Sequence, residues 1–150
     1  MSYETGPPKE NDRLNALTGR WRSHGRTVAA DGEPPIEISG TDDYTWLAGG
    51  FFLVHRVDVL MGGDRVEAVE MIGPYDPETD AYPARSFDNA GNFTTMRASV
   101  TDDGGWTFAG ENERATLTIE PDGQSMTARW ERTSDGREWT PWMNMTFTRT

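Results

Sequence analysis

Residues 53–72 read LVHRVDVLMGGDRVEAVEMI, two alternating runs hinged on Gly62-Gly63. A Gly-Gly pair accepts the positive φ angles of a two-residue hairpin turn. In such a hairpin the opposed residues are fixed by the turn and share one face of the sheet. That register sets Val59 against Val66, Val57 against Ala68 and Leu53 against Ile72, apolar on apolar throughout. The opposite face carries Arg56, Asp58 and Glu67, which suits water. One face buried and one solvated is the pattern of an antiparallel sheet.

The same test extends outward in both directions. Taken as a tight turn, Asp122-Gly123 sets Ile119, Leu117 and Ala115 opposite Met126, Ala128 and Trp130. Asp135-Gly136, treated alike, sets Ala128 and Met126 opposite Met143 and Met145. Asp31-Gly32 sets Thr27 and Gly25 against Ile36 and Ile38, and a turn near Gly49 places Tyr44 and Trp46 on the face of Phe51, Leu53 and His55. About ten strands follow, near residues 19–28, 35–47, 51–60, 65–73, 81–88, 93–100, 106–112, 114–120, 125–133 and 140–149. Pro83 cannot donate to a ladder and marks either a strand start or a gap in the wall. Helical signal is confined to Glu10 to Leu17, so residues 1–12 read as an extended or disordered leader with a short turn, and residues 13–150 as one domain.

An antiparallel meander of this length must split into two sheets or close on itself. Alternation from Gly25 puts Trp21 on the inner face, and alternation from Met145 and Phe147 puts Arg149 there too. If the first strand pairs with the last, the Arg149 guanidinium lies over the Trp21 ring, a cation–π contact worth about 0.5–2 kcal/mol. In that case the all-β meander is an up-and-down antiparallel barrel with one end sealed by Trp21 and Arg149.

The formal net charge of the 150 residues is −11, with acidic residues spread through the turns. A nucleic-acid or anionic-membrane surface requires clustered Lys and Arg, which this chain lacks. There is no cysteine, so disulfides, thiol catalysis and thiolate metal sites are excluded. MSYETGPPKENDR carries no apolar leader core and no stretch reaches the roughly 18 apolar residues of a membrane span, so a cytoplasmic monomer or homodimer is expected.

Four segments carry a family resemblance: GRWRSHGR at 19–26, GTDDYTWLAGGFFLVHRVD at 40–58, YDPETDAY at 75–82 and WERTSDGREWTPWMNMTFTR at 130–149. A Gly-x-Trp on the first strand and a basic residue ending the last resemble the lipocalin and fatty-acid-binding (calycin) barrels. The wider pattern is similar to a family of bacterial lipocalin-like proteins known as domain of unknown function 1579. This resemblance implies an all-β fold, a closed antiparallel up-and-down barrel of about ten strands with an interior cavity, and no established activity. Nitrobindin-type haem barrels also begin with a Gly-x-Trp, but bind haem through a histidine near the C-terminus, whereas the last histidine here is His55.

His55 is the residue most suited to chemistry. It shares an inner face with Leu53, Val57 and Val59, and the Gly62-Gly63 register opposes it to Glu70. Asp42 or Tyr44 faces it from the other side, according to whether the turn is Ala48-Gly49 or Gly49-Gly50. A histidine oriented by a carboxylate can anchor a ligand or act as a general base; the alternative is that His55 and Glu70 merely satisfy each other's burial. Around these polar anchors, Trp46, Trp130, Met126, Met143 and Met145 would form the apolar wall of a binding site, although in small barrels such side chains also serve as filling. Trp139 and Trp142 flank the last hairpin, at the rim. His24 is expected to face outward, which separates it from His55 and argues against a metal pair. Asp42, Asp43 and Asp76-Pro77-Glu78 read as solvated caps and turns. The leading expectation is a binding protein for a small, largely apolar ligand. The rivals are an enzyme without a cofactor, with His55 as base and Glu70 orienting it, and, more weakly, a haem barrel with His55 as axial ligand.

Overall fold

The computed structural model describes residues 6–30 and 32–150. A 3-10 helix, Lys9–Ala16, precedes ten strands: β1 Gly19–Thr27, β2 Glu37–Trp46, β3 Leu53–Met61, β4 Asp64–Ile72, β5 Tyr82–Asp88, β6 Phe93–Val100, β7 Trp106–Ala109, β8 Glu113–Ile119, β9 Ser125–Arg132 and β10 Thr140–Arg149. Each pairs antiparallel with its neighbours in the chain, and β10 pairs with β1, so the sheet closes into a barrel with no free edge. The helical turn expected over Glu10 to Leu17 is present as Lys9–Ala16, so residues 9–12 belong to it rather than to an extended leader; residues 1–5 lie outside the described residues.

The Gly62-Gly63 hairpin has the register its sequence implies, with Val59 opposite Val66, Val57 opposite Ala68 and Leu53 opposite Ile72. The β8–β9 pairing matches as well, setting Ala115 against Trp130. Gly25 faces Ile38 as expected, although Asp31 of the intervening turn lies outside the described residues. Between β2 and β3 the Gly49-Gly50 register holds, so Tyr44 sits opposite His55. Phe51 is a correction: it precedes β3 in the loop and is exposed rather than on the inner face. Pro83 is the second residue of β5, at a strand start rather than a gap.

The last hairpin is also corrected. Met143 faces Trp130 and Met145 faces Ala128, two residues away from the two-residue-turn register. The reason is local: Asp135 accepts from the backbone N–H of Arg137 and Glu138, and Gly136 N–H donates to the Thr133 hydroxyl, which builds a longer loop. A bulge between Pro141 and Met143 absorbs the offset where proline has no N–H to give. Because the slip is an even number of residues, the methionines keep their inner face.

The two halves of the barrel are filled differently. At the helix end, Trp21, Leu53, Ile72, Tyr82, Trp106 and Met126 are shut off from solvent, with Leu14 and Leu17 from the helix plugging the bottom. Trp21 faces Arg149 across the β1–β10 seam, and the guanidinium carbon lies 4.1 Å from the indole centroid. The same guanidinium donates to the carbonyls of Ala16, Thr18 and Gly123, while the Trp21 indole N–H donates to Leu17 O at 2.9 Å. One arginine thus ties the helix, the first strand and the β8–β9 turn together. At the other end the interior stays open.

Candidate functional site

The open half holds a cavity of about 270 Å³. Its upper wall comes from the strand ends far from the helix, including Ile38, Met61, Val66, Met143 and Trp142. Deeper, Phe108, Leu117, Ala128, Trp130, Met145 and Phe147 continue the apolar lining. Against this stand five polar residues, all on one side of the wall: Asp42, Tyr44, His55, Glu70 and Ser86.

These residues meet because β2, β3, β4 and β5 are consecutive staves with matched pleats. Tyr44 opposes His55, His55 opposes Glu70 and Glu70 opposes Ser86, one row across four strands. Asp42 lies two residues from Tyr44 on the same face and reaches diagonally to His55. The imidazole contacts both carboxylates, with Nε2 2.6 Å from Asp42 Oδ2 and Nδ1 2.9 Å from Glu70 Oε1. Ser23, on β1, donates its hydroxyl to the other oxygen of Asp42. Tyr44 stacks flat on the imidazole, ring centroids 3.9 Å apart and planes 8° from parallel.

Burial opposes a charge on His55, but the hydrogen bonds to Asp42 and Glu70, with the charges of both carboxylates, outweigh it and raise its pKa from 6.5 to about 9. At neutral pH the ring is therefore an imidazolium donating from both nitrogens. Burial, followed by the charges of Asp42 and Glu70, pushes the Tyr44 hydroxyl well above its ordinary pKa. The same two carboxylates contribute to both shifts, together outweighing burial for His55 and ranking behind it for Tyr44. Asp42, expected either to face His55 or to act as a solvated cap, is buried and bonded to His55 even though Tyr44 is the residue directly opposite. Asp76 does behave as a turn residue, accepting from the Glu78 N–H and the Thr79 hydroxyl.

This geometry bears directly on the chemistry open to His55. A general base needs a lone pair, and an axial ligand to haem iron needs a bare nitrogen aimed at the metal. Both His55 nitrogens are engaged by carboxylates, so the residues present do not fit either role. Glu70 spends one oxygen on His55 and, among the described residues, its second oxygen has no hydrogen-bond donor. The polar side of the cavity is thus built to accept hydrogen bonds or positive charge.

Of the wall residues expected from sequence, Trp130, Met143 and Met145 line the cavity beside His55, Glu70, Asp42 and Tyr44. Trp46 and Met126 do not. Trp46 faces the helix end, where its indole N–H donates to Asn15 Oδ1, and Met126 is sealed in the filled half between Ile119 and Phe147. Strand alternation gives the face of a residue and not its depth along the barrel axis. Trp142 is brought into the lining by the bulge after Pro141; it meets Trp130 edge to face at 6.0 Å and carries Arg132 on its ring at 4.4 Å. Trp139 packs under Arg114 at 4.2 Å nearby. Ser23, Ser86 and Phe108 join the site without a signal in the sequence: a serine on a strand face gives no indication of its partner. His24 is exposed and separated from His55, as its place in the alternation requires. No helix among the described residues is long and apolar enough to cross a membrane, which leaves open what strands can do.

Several solved structures share this architecture. Rv2717c from M. tuberculosis aligns with 12% identity over 96% of this chain and 99% of its own, at a TM-score of 0.67. The S-type phycobiliprotein lyase CPES from Guillardia theta aligns with 13% identity over 96% and 98%, at 0.62. A de novo designed fluorescence-activating β-barrel aligns with 17% identity over 93% and 98%, at 0.52. At such identities the likeness is one of fold. No curated protein matches the sequence. The lipocalin-like barrel, the Gly-x-Trp and arginine closure and the match over residues 6–149 agree, and the chain belongs to the family described as protein of unknown function (DUF1579).

Proposed function

We propose that the protein binds a small, largely apolar molecule in the open half of its barrel, with His55, Glu70 and Asp42 as polar anchors at depth and Trp130, Trp142, Met143 and Met145 as the wall. The observation that carries this reading is the contrast between the two halves. Large side chains pack the helix end solid, whereas an equally apolar wall at the other end leaves about 270 Å³ unfilled around one polar cluster. A chain selected only for stability would fill that space, because each missing contact costs packing energy. Concave apolar chambers with a few convergent polar groups are the usual form of a ligand site. The fold is also that of a barrel designed for fluorescence activation and of a phycobiliprotein lyase, which adds support at the level of architecture.

Ala68 lines the cavity between Val57 and Asp88, and offers a direct test. A panel of short neutral alcohols, ketones and alkylbenzenes should perturb the tryptophan fluorescence of the wild type saturably, through Trp130 and Trp142. Ala68→Phe, which fills the chamber from its own wall, should abolish that response while keeping the melting temperature within a few degrees. A wild type that takes up none of the panel, or a filled variant that responds as the wild type does, would overturn the proposal.

A further inference from the structure

The polar side of the cavity is unbalanced in charge. Two carboxylates, Asp42 and Glu70, share a single cation, His55. Among the described residues lining the cavity there is no Lys or Arg to compensate the second. All three side chains are about nine-tenths withdrawn from water, with side-chain exposures of 8% for Asp42, 12% for His55 and 13% for Glu70, so solvent screens the excess poorly. The carboxylates are also used unequally. Asp42 has a donor on each oxygen, accepting from Ser23 on one and His55 on the other. Glu70 accepts from His55 alone, and its second oxygen faces a chamber in which the hydroxyl of Ser86, its cross-strand neighbour, likewise has no hydrogen-bond partner among the described residues. That oxygen borders the open space of the chamber, where a bound group that donates can reach it.

Resting on the binding reading above, we infer that the cavity selects amphiphilic cations: an ammonium-type head group hydrogen-bonded to the free oxygen of Glu70 and to Ser86, with an apolar, preferably aromatic, body along Trp130 and Trp142. The head group completes the charge balance of the Asp42–His55–Glu70 row. The tail meets the apolar wall that the edge-to-face pair Trp130 and Trp142 contributes to the cavity, with Arg132 stacked on the Trp142 ring. The electrostatics of Tyr44 agree, since its hydroxyl is held protonated by burial and by the same two carboxylates. The chain's net charge of −11 further favours approach of a cation over that of an anion.

Three molecules of nearly one shape separate the contributions: phenethylamine, a cation at neutral pH; phenethyl alcohol, neutral with a hydrogen-bond donor; and hydrocinnamate, an anion. Calorimetric titration of the full chain should find the amine binding about tenfold tighter than the alcohol, or about 1.4 kcal/mol, with the anion weakest. Glu70→Gln should remove the preference, bringing the amine down to the affinity that the alcohol shows for the same variant. An alcohol that binds the wild type as tightly as the amine overturns the charge selection while leaving the binding reading intact, and does so without recourse to any variant. An amine preference that survives in Glu70→Gln overturns the assignment of the head group to Glu70. Failure of all three molecules to bind overturns this inference and the binding reading together.

Discussion

His55 is held by two carboxylates and a stacked tyrosine, and its charge should be visible in the stability of the whole chain. The groups facing it are Asp42 and Tyr44 from β2 and Glu70 from β4, and the Tyr44 hydroxyl is pushed too high to titrate in the same range. The folded pKa of about 9 lies above the unfolded 6.5. The imidazolium therefore contributes its full stabilisation below pH 6.5 and loses it as pH rises through about 9, a change on the order of 3 kcal/mol. Urea denaturation of the wild type between these pH values should show that decline. His55→Gln should lose about 3 kcal/mol at pH 7 by leaving the two buried carboxylates, Asp42 and Glu70, without their cation, and its profile should be nearly flat over the same interval. An equal slope in both proteins would show that His55 is not the titrating group. Much of this cluster is legible in the chain: the Gly62-Gly63 hairpin pairs His55 with Glu70 by counting alone. Ser23 and Asp42 are not legible in the same way. Their contact joins β1 to β2 across a turn, and the diagonal reach from Asp42 to His55 depends on sheet twist, which counting does not supply.

The seam between β1 and β10 rests on Gly19, Trp21 and Arg149. Gly19 adopts a φ of +115°, and a Cβ added there would lie 2.6 Å from Arg149 Nη1. An alanine would be strained in its backbone and would displace the guanidinium from the indole. Gly19→Ala should thus cost about 2 kcal/mol or more, from backbone strain of about 1–3 kcal/mol and the lost cation–π contact. Arg149→Met, which keeps the aliphatic stem but withdraws the donor from three carbonyls, should cost a similar amount, with faster amide hydrogen exchange concentrated in β1 and β10. Exchange that accelerates evenly around the barrel would show that the seam is not a local weak point. The Gly-x-Trp and the terminal arginine can be matched from sequence because both lie at strand ends on one face. The last hairpin departs by two residues from what its sequence implies at the same scale: the Asp135 loop is longer than a two-residue turn, and the bulge at Pro141 turns Trp142 into the cavity. A proline in a strand signals an irregularity without specifying which side chain it redirects.

For the whole molecule, the division of the barrel into a packed and an open half matters most. The helix closes the packed end, with Leu14 and Leu17 in the core and the Asn11 amide donating to Gly50 O. Leu14→Ala should destabilise the protein by about 2–5 kcal/mol, yet leave the affinity for phenethylamine within a factor of two, since the cavity lies at the other end. An affinity that collapses in step with stability, while the protein is still folded, would show the two halves to be coupled. Period-two alternation, turn dipeptides and matched hairpins determined the strand number, the inner face and the His55–Glu70 pair, because each follows from neighbours in sequence or from the pleat. Only the tertiary structure decided how far along the axis each inward side chain sits. Trp46 and Met126 share the inner face with Trp130 and Met143, yet the first two are packing and the last two are wall, because the helix fills one end and not the other. Whether a barrel interior is filled depends on the summed volume of side chains brought to the same height from distant strands, and no local pattern in the chain encodes that sum.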